Sequence, residues 1–112
     1  MNKYRTIYRE DIQAHLQAGT SMRLVEALPH SYFADGHLPG AVNVPHAAIR
    51  NRAHTLLPDK EELIVVYCAN KDCKNSAIAA NTLTAMGYNN VAAYEGGKQD
   101  WIDGGLPVEK LN

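Results

Sequence analysis

A chain of 112 residues, 46% hydrophobic and 21% charged, holds enough material for one hydrophobic core and too little for two, so one domain over residues 1–112 is expected. Its 11 basic and 12 acidic residues leave a formal charge of -1. With no Lys/Arg stripe and no interleaved aromatic run, neither nucleic acid nor an anionic membrane is expected as a partner. The opening MNKYRTIYREDIQ has no apolar stretch of signal-peptide length, and no later window approaches a membrane span, which predicts a cytoplasmic protein with reduced thiols.

Strand-like and helix-like patterns alternate along the chain. Arg5-Thr6-Ile7 reads as a short strand, and Glu10 to Ala18 as a helix with Ile12 and Leu16 four apart, ended by Gly19. Arg23 to Ala27 is strand-like, and after Pro29 a short segment supplies the aromatic bulk of Tyr32 and Phe33. Leu38-Pro39-Gly40 is a turn, residues 41–44 a strand, and residues 46–57 helical up to the break at Pro58-Asp59. Leu63-Ile64-Val65-Val66-Tyr67 is an unbroken apolar and aromatic run, the pattern of a strand buried on both faces. A helix is predicted from about Ser76 to Met86, with Ile78, Ala79, Leu83 and Met86 on its inner face and Gly87 as its stop. Val91 to Tyr94 is a last strand, Gly96-Gly97 a tight turn, and Lys98 to Asp103 a short helix with Trp101 as a core plug. This order predicts an α/β fold, a central, mostly parallel five-stranded sheet with helices on both faces.

The reactive residue is expected to be Cys68. It follows the most buried strand, where open parallel sheets place their ligands, and precedes a polar loop, Ala69 to Asn75, that leads into a helix start. The unpaired N–H groups and positive end of that helix, with Lys71 and Lys74, favour a thiolate. The plain alternative is a small buried hydrophobe closing the strand. The polar loop has no packing role of its own and favours chemistry.

Tyr67-Cys68, the loop, Ser76, Gly87-Tyr88, Asn90-Val91, Glu95-Gly96-Gly97, Trp101 and Gly105-Leu106-Pro107-Val108-Glu109 resemble the second half of a rhodanese domain. Leu24-Val25-Glu26, Gly36-His37-Leu38-Pro39-Gly40-Ala41 and Asn43-Val44-Pro45 are similar to its first half. The resemblance runs from about residue 5 to residue 109 and rests on the order and spacing of these motifs together. It implies a sulfurtransferase of the thiosulfate type. Cys68 would be the catalytic nucleophile, holding sulfane sulfur as a persulfide between a small donor such as thiosulfate and a thiophilic acceptor, cyanide or a thiol, with a protein acceptor also open. Ala69, Asn70, Lys71, Asp72, Cys73, Lys74, Asn75 and Ser76 would bind the substrate. No cofactor is expected.

Three departures accompany the resemblance. Seven residues separate Cys68 from Ser76, more than in the commonest single-domain members. The loop offers Lys71 and Lys74 but no arginine, and lysine supplies charge without a two-pronged grip. The usual Asp-x-Arg is replaced by Glu26-Ala27-Leu28, which calls a structural ion pair into question. Two other functions stay open on these grounds. One is a non-catalytic regulatory or sulfur-carrier module. The other, weaker, is a cysteine phosphatase or arsenate reductase, whose C-x5-R has Lys74 in place of its arginine here.

Cys73 is either a resolving thiol that attacks an oxidised or persulfidated Cys68, or a bystander, and the bystander reading is preferred because a resolving pair needs geometry as well as proximity. A C-x4-C spacing lacks the paired-ligand pattern of zinc sites, so no metal is expected, and G-x-G-x-x-G is absent. Histidines 15, 30, 46 and 54 read as surface or packing residues, and His37 as a structural hydrogen-bonding residue of its turn.

Overall fold

A computed structural model describes residues 4–111. Five strands form one sheet: β1 (Arg5–Thr6), β2 (Met22–Glu26), β3 (Val42–Asn43), β4 (Leu63–Tyr67) and β5 (Val91–Tyr94). Their order across the sheet is β1-β5-β4-β2-β3, and every pairing is parallel. The helices are α1 (Arg9–Ala18), α2 (His30–Asp35), α3 (Ile49–Leu56, entered through a 3-10 turn at His46–Ala48), α4 (Asn75–Ala85) and α5 (Gly97–Asp103).

The two-residue period of the strands sorts their side chains into two cores. Ile64 and Val66 of β4 join Val25, Val91 and Ala93 against Ile49 and Ala53 of α3 and Ala79, Ala80 and Leu83 of α4. Leu63, Val65 and Tyr67 join Leu24, Ala92 and Tyr94 on the other face, against Ile12 of α1, Phe33 of α2 and Trp101 of α5. All of β4 is buried, which is why its sequence does not alternate.

Two side chains differ from the predicted faces. Ile78 is 46% exposed while Ala80 is buried. The inner stripe of α4 is Ser76, Ala79, Ala80 and Leu83, and Ile78 lies about 100° around the helix from Ala79. Small residues on that stripe let the helix axis approach the sheet. Leu16 is also exposed, leaving Ile12 as the buried anchor of α1. The aromatic segment after Pro29 is itself a helix, α2, too short for a periodic signal. Among the described residues no helix is long and apolar enough to cross a membrane.

Candidate active site

The register places Asn43, Glu26, Tyr67 and Tyr94 in one row across the carboxyl ends of β3, β2, β4 and β5. Cys68 is the next residue of the central strand and is 1% exposed. Its backbone is fixed from α5: Lys98 N–H donates to the Cys68 carbonyl at 2.9 Å, and Gln99 N–H donates to the Ala69 carbonyl at 2.9 Å. The carbonyls that leave the sheet are therefore satisfied by the first N–H groups of a helix from the other end of the chain.

Gly97 makes this contact possible. It has φ +70°, and a Cβ there would lie 2.7 Å from the Cys68 carbonyl oxygen and 2.8 Å from the Asn70 nitrogen. Both neighbours are backbone and cannot swing away. The second glycine of the turn is thus a wall of the Cys68 loop as well as a turn residue.

Below the row lies a buried polar network. Glu26, 0% exposed, accepts from the Tyr67 hydroxyl at 2.8 Å and from Lys98 Nζ at 3.0 Å. The Tyr67 hydroxyl accepts in turn from Leu38 N–H at 3.1 Å, and Lys98 Nζ also donates to the Tyr32 carbonyl at 2.9 Å. Glu26 is therefore ion-paired, with a cation supplied by α5 and not by position 28, where leucine stands. Burial, then the nearby Glu26 charge, pushes the Tyr67 hydroxyl far above the usual tyrosine range, so it stays a donor. Tyr94 is raised as well, first by burial and then by its hydrogen bond to Asp100.

The eight loop and helix-start residues take different places around the end of β4. Cys73 returns to Cys68, and their sulfurs are bonded, with the Cα atoms 6.3 Å apart. This differs from the preferred reading of Cys73 as a bystander. The bend that brings it back is local: Asp72 N–H donates to Asn70 Oδ1 at 3.0 Å and Cys73 N–H to the Asn70 carbonyl at 3.1 Å, an Asx-turn on top of a β-turn. Asn70, Lys71 and Asp72 instead face a cleft of about 340 Å³ with Gly96, Gln99, Asp100 and Asp103. That cleft presents three carboxylates to one ammonium and does not include Cys68. Ala69 is half-buried beside Gln99, and Lys74 is exposed at the entry to α4. Asn75 points back toward the Ala27 carbonyl (3.4 Å), and Ser76 is buried against the sheet.

The first turn of α4 carries no acidic residue, so its positive end faces the loop without a carboxylate in that turn. His37 is a structural residue, as its turn position suggests. Its ring stacks on Phe33 at 3.8 Å between centroids, Nδ1 donates to the Phe33 carbonyl at 2.8 Å, and its backbone pairs with Glu109. Trp101 is buried and donates to the Pro107 carbonyl at 2.8 Å. Among the described residues no group of three or more His, Cys, Asp or Glu could hold a metal ion.

Sequence reasoning missed Lys98 and Gly97 as residues that build this site. The only sequence signal was the Gly96-Gly97 pair, which reads equally well as a simple turn.

Comparison with known proteins places this geometry in context. Residues 9–103 match the family model described as Rhodanese-like domain. An HTH-type transcriptional regulator of Mycobacterium tuberculosis is 32% identical over 104 residues, covering 93% of this chain and 44% of the regulator. The thiosulfate sulfurtransferase PspE of Escherichia coli is 34% identical over 64 residues, covering 57% of this chain and 59% of that protein. Among solved structures, a thiosulfate sulfurtransferase from Pseudomonas aeruginosa superposes with a TM-score of 0.87 at 27% identity, over 97% of this chain and 21% of the other. This chain thus spans less than two thirds of each.

Proposed function

This chain belongs to the rhodanese-like domain family, and on that premise we propose that residues 1–112 act as one sulfurtransferase domain working through Cys68. With Cys68 and Cys73 reduced, the Cys68 thiolate attacks the outer sulfur of thiosulfate or a related donor. The donor's S–S bond breaks, sulfite leaves with the bonding pair, and Cys68 keeps the sulfane sulfur as a persulfide. Cyanide or a thiolate then attacks that outer sulfur and restores the thiolate. Covalent storage divides one transfer into two easier ones.

The observation that carries this reading is the place of Cys68: buried at the carboxyl end of the central strand, under a loop that runs into the acid-free first turn of α4. Backbone N–H groups at a helix start suit an anion such as a thiolate or persulfide. The test is thiocyanate formation from thiosulfate and cyanide by the pre-reduced protein. Cys68→Ser is expected to lower the rate by about 10³-fold or more, because it removes the thiolate that takes up the sulfur. A rate that survives this substitution overturns the reading.

A second reading is favoured by the cleft beside the loop. Its surplus of carboxylates suits a polar or cationic surface better than a free dianion, and one relative of this chain is a transcriptional regulator more than twice the length of the matched segment. On that reading the persulfide is formed and handed to a protein acceptor, with slow turnover of small donors. Sulfur uptake at Cys68 without appreciable thiocyanate formation identifies the carrier.

A further inference from the structure

We propose that Cys73 discharges the Cys68 persulfide from within, releasing the sulfur as hydrogen sulfide and leaving the Cys68–Cys73 bond. The inference rests on the persulfide reading above and adds a second reacting group and a second product to it.

The geometry favours attack on the inner sulfur of the persulfide. The two Cα atoms are 6.3 Å apart, inside the range spanned by a direct disulfide, and Cys73 is joined to Sγ of Cys68 with no atom between. A thiolate held at that reach meets Cys68 Sγ itself. Attack there forms the Sγ–Sγ bond and breaks the bond from Cys68 Sγ to the outer sulfur. The outer sulfur leaves with the electron pair and the persulfide proton as hydrosulfide, while the proton of the Cys73 thiol has gone to solvent. The sulfane sulfur is reduced to sulfide, and the two cysteine sulfurs are oxidised to the disulfide. An external dithiol then reduces the disulfide and returns both thiols.

Three further observations agree. Cys68 is 1% exposed, so an outside acceptor must enter past the loop, whereas Cys73 is already on it. The Asn70 turn holds the loop folded back through two hydrogen bonds, so the second thiol attacks at high effective concentration. The length of the loop, a departure from the commonest family pattern, provides the residues for this return. In a reducing compartment a bond of this kind is a step in turnover, not a permanent staple.

The experiment compares the wild-type chain with Cys73→Ser, both fully reduced, freed of reductant, and incubated with thiosulfate in the absence of any acceptor. Sulfide in solution and sulfane sulfur on the protein are measured together. Wild type is expected to release about one equivalent of sulfide per chain and to end with Cys68 joined to Cys73. Cys73→Ser is expected to release at least about 10-fold less and to retain sulfane sulfur that cyanide removes as thiocyanate. Wild type that retains sulfane sulfur as fully as Cys73→Ser, with no sulfide formed, overturns the role of Cys73 and leaves the persulfide reading standing. Failure of both chains to take up sulfur overturns both.

Discussion

Gly97→Ala is expected to lower thiocyanate formation by about 10²-fold, although Gly97 offers no functional group to the reaction. The added Cβ would lie 2.7 Å from the Cys68 carbonyl and 2.8 Å from the Asn70 nitrogen, so the loop or the start of α5 must move. Movement of α5 stretches the hydrogen bonds from Lys98 to Cys68 and from Gln99 to Ala69, which set where the nucleophile leaves the sheet. The positive φ adds about 1–2 kcal/mol of conformational cost on its own. The contrast is Gly19→Ala, where φ is also positive but nothing lies within 4 Å of the new Cβ. That variant is expected to lose a similar conformational increment and keep its rate. A Gly97→Ala chain within about twofold of wild type in rate would show that the loop does not need this close backbone contact.

The largest stability effect is expected from Lys98→Met. Glu26 is fully buried and shares its charge between Tyr67 and Lys98. Removing the ammonium leaves an uncompensated carboxylate under the site, at a cost of about 3 kcal/mol. For a chain of this size that is a fall of roughly 12 °C in the melting temperature. Adding Glu26→Gln to Lys98→Met removes the charge and is expected to recover most of the loss, which separates the charge effect from lost packing. Chemical denaturation of the wild type, the single variant and the double variant checks this. A single-variant loss below about 1 kcal/mol would mean that solvent reaches the pair and screens it.

The sheet was legible because its cause is local. Leu63 to Tyr67 carries burial on both faces in five consecutive residues, and Val91 to Tyr94 repeats the pattern. The place of Cys68, directly after that strand, was legible for the same reason. Features that depend on distant partners were not legible. Lys98 lies 72 residues from Glu26, and nothing near either residue announces the pair, so the departure from the familiar Asp-x-Arg gave no sign of a cation supplied by α5. The helix α2 was missed because its six residues hold a single buried side chain, Phe33. Ile78 was assigned to the core on hydrophobicity, whereas the small residues Ala79 and Ala80 decide which side of α4 fits the sheet.

The Cys68–Cys73 contact falls between these cases. The spacing was visible and the Asn70 turn was not, because an Asx-turn depends on which way one side chain points. The same turn divides the loop residues expected to bind substrate, sending Cys73 to Cys68 and leaving Lys71 and Asp72 on the acidic cleft. The longer loop was legible in the sequence only as a departure in length. Here it brings a second thiol onto the first.

The most direct test of the central claim is the mass of the tryptic peptide that ends at Lys71, taken from reduced Cys73→Ser protein after thiosulfate treatment and alkylation. Serine at position 73 removes the internal route of discharge, so sulfur held on Cys68 survives to be trapped. One added sulfur atom on that peptide is the expected result. A peptide of unchanged mass, from protein whose Cys68 is alkylated in full, would contradict the assignment of Cys68 as the sulfur carrier.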